Sequence, residues 1–141
     1  MNESLVESPL DTVLALYEKD DLVRGLGITI VSVDAGRVEL ALEPGAHSIN
    51  SHRMVHGGVL FILADTAFAY AFASHGRAGV TTQADIAFLS PATPGTRLCA
   101  VATEVHRHGS LGIYDVLVSD ASGRGIASFR GQGRIPRQAA A

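Results

Sequence analysis

Two groups of strand-like segments flank a single long apolar run in the chain. Before the run, the pattern predicts a short helix that begins at Pro9 and a β-hairpin that turns at residues 34–36. The hairpin strands are predicted over residues 26–33 and 37–42. After the run, alternating and β-branched residues predict four more strands, over residues 81–89, 96–106, 111–118 and 125–135. Residues 45–55 are polar and aperiodic, which predicts a loop.

The apolar run, VLFILADTAFAYAFA at residues 59–73, predicts one buried helix that is entered at His56-Gly57-Gly58 and ends near Ser74. It is shorter than the roughly 20 residues that a membrane-spanning helix needs. A helix that is apolar on nearly every face has to be surrounded by other elements. Consecutive hairpin-connected strands can form one antiparallel sheet that curls around it. We therefore expect an α+β fold of the hotdog type, an antiparallel β-sheet wrapped around one long central helix, as a single domain over residues 1–141.

Composition narrows the class of protein. A hydrophobic fraction of 47% with only 18% charged residues is typical of a packed globular chain and not of a disordered one. The net charge of −3 provides no overall attraction to nucleic acid or to an anionic membrane, so neither is an expected partner. Cys99 is the sole cysteine, and the N-terminal residues lack a signal-peptide pattern, which favours a cytoplasmic location. His52 and His56 have no third ligand nearby, so no metal is expected.

Asp65 is the only charged residue within the apolar run. An ionised carboxylate that is left unpaired in an apolar interior is costly, so it either protonates or finds partners. Burial also raises the pKa of a carboxyl group, which suits a general base or a nucleophile. Two interpretations remain open at this point. Asp65 is either catalytic, or it is a structural group that caps a helix or pairs with an arginine of a neighbouring strand.

The His56-Gly57-Gly58 entry to the same helix offers a second candidate group. A helix N-terminus exposes unsatisfied backbone N–H groups and the positive end of the macrodipole, which can stabilise an oxyanion. The alternative is a tight turn without chemistry. Gly57 and Asp65 are eight residues apart, so one helix separates them by about 12 Å. If both act on one carbonyl, they come from different subunits, and the protein is at least a dimer.

The residues Asn50, His56-Gly57-Gly58 and LADTAFAYA at 63–71 resemble the signature of the phenylacetate-pathway hotdog thioesterases, the PaaI type. Residues 112–116 and 129–131 also resemble late strands of that family. The resemblance implies an acyl-CoA thioesterase, acting on phenylacetyl-CoA or its hydroxylated relatives, assembled as a dimer of dimers. No cofactor is implied. Asp65 would be the nucleophile or general base, and the Gly57 amide would hold the thioester oxygen with help from His56 and Asn50.

Several further residues are expected to bind substrate. The partner's strand 81–89, including Thr81 and Thr82, would line the acyl pocket, and Gly58 adjoins the oxyanion site. Phe61 and Phe68 share the helical stripe of Asp65 and would suit an aromatic acyl group, although such a stripe is more often plain core. Arginines cluster near the C-terminus and either bind the phosphates of CoA or form a solvated edge. They are Arg124, Arg130, Arg134 and Arg137, of which Arg130 is a predicted CoA contact.

Two other functions remain as alternatives. One is a hotdog enoyl-CoA hydratase or dehydratase, in which His56 and Asp65 would act as the paired base and acid. The other is a non-catalytic sensor that binds acyl-CoA without turnover.

Overall fold

The computed structural model describes residues 7–137 of the chain. It contains three α-helices, α1 (Pro9–Tyr17), α2 (Asp21–Gly25) and α3 (Gly57–Ala73). The strands are β1 (Ile28–Asp34), β2 (Arg37–Leu42), β3 (Val80–Phe88), β4 (Leu98–His108), β5 (Leu111–Asp120) and β6 (Gly125–Arg134). Each predicted strand is confirmed with its ends displaced by no more than two residues.

The helices before the sheet show why one was predicted and the other was not. Ser8 caps α1 by accepting a hydrogen bond from the Asp11 amide at 3.1 Å, and Pro9 begins the first turn. The apolar pattern ends near Asp20, and the prediction stopped there. The structure adds α2, which is only five residues long and has no side-chain cap at Asp20. Burial of Val23 stabilises α2, and that tertiary contact leaves no periodic signal in so short a segment.

All six strands form one antiparallel sheet in the order β1-β2-β4-β5-β6-β3. The sheet wraps around α3, which confirms the hotdog arrangement. At one edge, α1 packs on β1, and the Tyr17 hydroxyl donates to the Ile28 carbonyl at 2.7 Å. The opposite edge is β3. No helix described in the structure is long and apolar enough to cross a membrane.

Phenylalanines of α3 pack against glycines of the sheet. The rings of Phe68 and Phe72 lie so close to the sheet that a Cβ atom built at Gly131 or Gly133 would come within 3.0 Å of them. Because glycine has no side chain, the helix can sit deep in the curve of the sheet. Phe68 is 1% exposed and belongs to the core.

One flank of the chain is not covered by any part of residues 7–137, and we call it the open flank. It consists of β3, seven of whose nine residues are exposed, and of one stripe of α3. The stripe residues, each at least partly exposed, are Gly58, Phe61, Ile62, Asp65 and Ala69. Gly57 lies beside the Phe88 ring at one end of β3, whereas Ala69 lies beside Val80 and Thr81 at the other. The helix stripe and the strand edge therefore run alongside each other as one surface.

Candidate active site

The N-terminus of α3 is capped by the side chain of its preceding residue. His56 has extended backbone angles, φ −61° and ψ 134°, and its Nδ1 atom accepts a hydrogen bond from the Gly58 amide at 2.8 Å. An accepting Nδ1 carries no proton, so the neutral ring carries its proton on Nε2. His56 therefore presents an N–H donor on the exposed side of the helix end. The Gly58 amide is occupied by this bond.

The Gly57 amide differs from that of Gly58. Among residues 7–137, no acceptor is hydrogen-bonded to it. Gly57 lines a cleft of about 400 Å³ together with Asn50, Leu60 and Phe88. A free amide at the positive end of a long helix, facing a cleft with apolar walls, is a suitable donor to an oxygen that becomes negative.

Asn50 organises the loop that leads to the helix. Its Oδ1 atom accepts hydrogen bonds from the amides of His52 and Met54, at 2.9 and 3.1 Å. These bonds form a tight Asx-type loop, in which Arg53 adopts a positive φ of 63°. With Oδ1 occupied, the side-chain amide of Asn50 is left to act as a donor toward the same cleft as Gly57.

Asp65 lies half-buried in the stripe of α3 that borders the open flank. Burial raises the pKa of its carboxyl group above the ordinary value. No ion pair or hydrogen bond within residues 7–137 involves this carboxylate, so the structural interpretation, a helix cap or a pair with an arginine, finds no support among these residues. The nearby Tyr70 hydroxyl is directed elsewhere and donates to Asp20 at 2.9 Å.

Gly57 and Asp65 are not brought together within one protomer. Both belong to the continuous helix α3, so about two turns, or roughly 12 Å, separate them. Asp65 instead lies half-buried on the open flank. The chain thus carries two separate candidate groups, Gly57 and Asp65, and we call them the two half-sites.

Comparison with known proteins places this arrangement in a family. Residues 52–127 match the thioesterase superfamily, and this range includes both half-sites. The chain belongs to the thioesterase superfamily. It is 41% identical over 118 residues to the acyl-coenzyme A thioesterase PaaI of Escherichia coli K12, covering 84% of each sequence.

Solved structures of other proteins with the same fold agree with this placement. The structure of the E. coli PaaI protein, from the phenylacetic acid degradation operon, superimposes with a TM-score of 0.89 at 37% identity, covering 92% of this chain and 94% of that one. A Streptococcus mutans UA159 protein bound to acetyl CoA superimposes with a TM-score of 0.75 at 26% identity, covering 77% and 88%. The resemblance to the PaaI type is therefore confirmed.

The other residues predicted to bind substrate fall into two groups, those exposed on the open flank and those buried in the core. Phe61 is partly exposed on the open flank and packs edge-on against Phe129, with ring centroids 5.4 Å apart. Thr81 and Thr82 are exposed at the start of β3, so they border the same flank. Phe68, by contrast, is a core residue that contacts the sheet. It supports the wall of this flank from behind and is not open to a ligand in the protomer.

Arg130 lies on the face of the sheet opposite α3. Its neighbours Phe129 and Gly131 are buried, and side chains alternate along a strand, so the side chain of Arg130 points outward. There it forms a bidentate pair with Asp115, at 2.6 and 2.9 Å, and this bond holds the pKa of Asp115 below its ordinary value. The prediction that Arg130 binds CoA therefore has no support from its position, because the sheet separates it from both half-sites.

Sequence reasoning included Phe88 only within the partner's strand 81–89 and did not place it beside Gly57 of the same chain. Its ring lies against Gly57, 3.3 Å from where a Cβ atom would stand, and it lines the cleft at the helix end. The only sequence signal was an apolar residue at the end of a predicted strand, three residues before Pro91. Exposure depends on the tertiary fold, and so the sequence alone does not reveal it.

Proposed function

We propose that the protein hydrolyses acyl-CoA thioesters to a free carboxylic acid and CoA. The proposal rests on two groups of one flank that have no hydrogen-bond partner among residues 7–137. They are the amide of Gly57 and the carboxylate of Asp65. Such a donor and such a carboxylate are what acyl transfer requires. Two relatives support the substrate class, since one is named an acyl-CoA thioesterase and another was solved with acetyl CoA.

A dimer formed through the open flank completes the site. If the β3 edges of two copies pair antiparallel about a two-fold axis, the Phe88 end of one strand meets the Val80 end of the other. The Gly57 of one protomer then approaches the partner's α3 near Ala69, about one helical turn from Asp65. Edge pairing also satisfies the exposed backbone groups of β3 and covers Val80 and Phe88, which are 55% and 56% exposed in the protomer.

The reaction then follows from the groups present. The thioester oxygen accepts a hydrogen bond from the Gly57 amide, with the Nε2–H of His56 and the side-chain amide of Asn50 placed to assist. The partner's Asp65 either attacks the carbonyl carbon, forming a mixed anhydride as the CoA thiolate departs, or removes a proton from the attacking water. Water opens the anhydride in the first route. Both routes give the same products.

The acyl group we propose is phenylacetyl or a ring-hydroxylated relative. Phe61 and Phe129 form an aromatic wall behind the open flank, and aromatic rings pack favourably edge-to-face. Thr81 of the partner provides a hydroxyl at the mouth of the same pocket, and Thr82, whose hydroxyl donates to the Gln132 carbonyl of its own chain at 3.2 Å, lies beside it. The neighbour from the phenylacetic acid degradation operon supports this choice of substrate.

The state of His56 favours hydrolysis over the hydratase alternative. A hydratase needs a histidine that removes or donates a proton at the acyl carbons. The Nδ1 of His56 is engaged by Gly58, and the other nitrogen carries the ring proton. The ring is therefore arranged as a hydrogen-bond donor.

Release of free CoA thiol from phenylacetyl-CoA tests the proposal, with wild type and Asp65→Asn compared side by side and hexanoyl-CoA as the second substrate. We expect rapid release by the wild type, a loss in the variant, and slower release from hexanoyl-CoA. Binding of CoA esters without release would instead establish the sensor alternative. Equal rates in the two proteins would show that Asp65 is structural.

We further propose a cytoplasmic dimer of dimers. Such an assembly needs a second contact, and the outer face of the sheet presents Val105 and Leu117, each 50% exposed. A Leu117→Asp variant would then run as a dimer in light scattering and keep its thioesterase activity. A tetramer that survives this change would place the second contact elsewhere.

A further inference from the structure

One side of the cleft beside Gly57 is formed by the part of the chain in which β3 ends, residues 88–92, and we call it the 88–92 segment. Burial does little to hold its first two residues, since Phe88 and Leu89 are 56% and 55% exposed. The Phe88 ring nevertheless lies against Gly57, 3.3 Å from where a Cβ atom would stand. The position of the 88–92 segment therefore sets the width of the cleft at the proposed oxyanion donor.

Hydrogen bonds hold the 88–92 segment at three points, and two of these points are contacts between backbone groups. The first two amides after Phe88 donate to the Ile126 carbonyl of β6, at 2.8 and 3.3 Å. The Ala92 carbonyl accepts a hydrogen bond from the Val55 amide at 2.9 Å. This second contact joins the segment to the loop that Asn50 organises, so the two sides of the cleft are tied together.

The third point is a contact with a side chain. The Nη2 group of Arg124, in the turn between β5 and β6, donates a hydrogen bond to the Pro91 carbonyl at 2.9 Å. Among residues 7–137, no other side chain forms a hydrogen bond with the 88–92 segment. A charged donor forms a stronger hydrogen bond than a neutral one. Replacement of Arg124 would remove this contact and leave the backbone bonds in place.

The turn that carries Arg124 fixes the position of its guanidinium. The Nε atom lies 3.4 Å from Oδ2 of Asp120. The Oδ1 atom of Asp120 accepts hydrogen bonds from the Ser122 hydroxyl at 2.6 Å and from the amides of Ser122 and Arg124 at 3.0 and 3.1 Å. The Ser122 hydroxyl, and after it these amides, hold the pKa of the Asp120 carboxyl below its ordinary value. Asp120 thus anchors both the turn and the guanidinium.

Two roles remained open for Arg124 from the sequence, phosphate binding or a solvated edge, and its contacts point to a third. We propose that Arg124 is a positioning residue of the cleft, which holds the 88–92 segment at the distance from Gly57 that the bound substrate requires. This inference rests on the proposed hydrolysis of acyl-CoA thioesters. Arg124 acts through Pro91, whereas the groups proposed to act on the carbonyl both belong to α3. Loss of Arg124 should therefore weaken substrate binding and leave the chemical step nearly unchanged.

Kinetics with two esters test this role. Arg124→Met keeps an unbranched side chain and removes its donors. We expect KM to rise by about three- to tenfold for phenylacetyl-CoA and equally for phenylacetyl-pantetheine, with kcat within about twofold of the wild-type value. A contact between Arg124 and the CoA phosphates would raise KM for the CoA ester alone, because the pantetheine ester lacks the nucleotide. That result, an unchanged KM for both esters, or a loss confined to kcat would overturn the proposal.

Two further variants separate positioning from general stability. Arg124→Lys keeps a charged donor in the turn and should return KM for both esters most of the way to the wild-type value. Arg97→Met is the matched control, since the Arg97 side chain is 51% exposed and pairs with Glu43, and that of Arg124 is 52% exposed. The control should change neither KM nor kcat. A lower melting temperature in Arg124→Met with wild-type KM would mean that the contact serves stability alone.

Hydrogen exchange tests the same contact without turnover. The Leu89 and Val55 amides, which bond within or to the 88–92 segment, should exchange several-fold faster in Arg124→Met than in Arg97→Met. The Gly58 amide, at the end of α3, should exchange equally in both. If the wild type hydrolyses neither ester, the proposed function fails, and this measurement still decides whether Arg124 holds the segment. Equal exchange of the Leu89 and Val55 amides in the two variants would overturn the positioning role.

Discussion

The Nδ1 atom of His56 accepts a 2.8 Å hydrogen bond from the amide of Gly58, and this single contact separates the roles of three neighbouring groups. It occupies the Gly58 amide, directs the remaining ring proton of His56 to Nε2, and leaves the Gly57 amide as the free donor at the end of α3. His56 therefore has a structural role as the helix cap and a proposed chemical role as a donor to the thioester.

Substitution at His56 can separate these roles. Asparagine is a favourable N-cap residue, so His56→Asn should retain the stability of the protein, whereas His56→Ala should lose about 1 kcal/mol in denaturant unfolding. Both variants lack the Nε2–H donor, and both should lose roughly tenfold or more in kcat. If His56→Asn keeps wild-type activity, the residue serves only as a cap.

Removal of the amide hydrogen of Gly57 tests whether this amide is the oxyanion donor. Proline is well tolerated at the first position of a helix, and the backbone angles of His56 are those favoured before proline. Gly57→Pro should therefore fold, yet lose about 10²–10³-fold in kcat because the amide proton is gone. Gly57→Ala is the control. It keeps the amide and adds a Cβ that meets the exposed Phe88 ring at 3.3 Å, so its activity should fall much less. Equal losses in both variants would indicate a steric effect at Phe88.

If each active site is shared between two protomers, mixing two inactive variants should restore activity. An equal mixture of Gly57→Pro and Asp65→Asn chains, after dissociation and reassembly, forms mixed dimers that contain one intact pair and one doubly defective pair. Random reassembly predicts recovery of about a quarter of wild-type activity. A site contained within one protomer would give no recovery at all.

The raised pKa of Asp65 predicts opposite pH effects on activity and stability. Hydrolysis needs the ionised carboxylate, so kcat/KM should rise with pH through a midpoint above the ordinary aspartate value of about 3.9. A group whose pKa is raised in the folded state binds more protons folded than unfolded. Its stabilising contribution is present below the ordinary pKa and is lost as pH rises through the raised one.

Asp65→Asn provides the matching stability measurement. Its free energy of unfolding, relative to that of the wild type, should increase with pH across this window, because the wild type alone must ionise a half-buried carboxyl group. Denaturant titrations at several pH values measure this difference. A difference independent of pH would mean that the environment of Asp65 does not disfavour its charge.

Close packing between Gly131 and Phe68 predicts a strong effect of one methyl group. A Cβ at residue 131 would lie 2.7 Å from two atoms of the buried ring, so Gly131→Ala should cost about 1–3 kcal/mol. Gly45→Ala is the control, since nothing lies within 4 Å of its Cβ position and its φ of −92° suits alanine. Thermal and denaturant unfolding measure both. A stable Gly131→Ala protein would show that Phe68 has room to move.

The secondary structure was predictable because its signals are local. Alternation of side chains over a few residues marked each strand, and the apolar run at residues 59–73 marked α3. Asp65 was recognisable as a candidate functional residue for the same reason. A single charged side chain in an apolar run is costly to bury, and it is therefore seldom present without a partner or a function. The short helix α2 was missed because the burial of Val23, and not a repeating pattern, stabilises it.

By itself, then, the sequence determined the order of the elements and the wrapped-sheet class of fold, and it predicted Gly57 and Asp65 as the two candidate catalytic groups. The tertiary structure alone decided what those half-sites face. Pairing of β6 with β3 sets Arg134 beside Val80 and gathers it with Arg77 and Ser110, while strand alternation turns Arg130 to the other side of the sheet. Strand pairing joins residues far apart in the chain, and its register depends on the packing of the whole sheet around α3, which no short segment encodes.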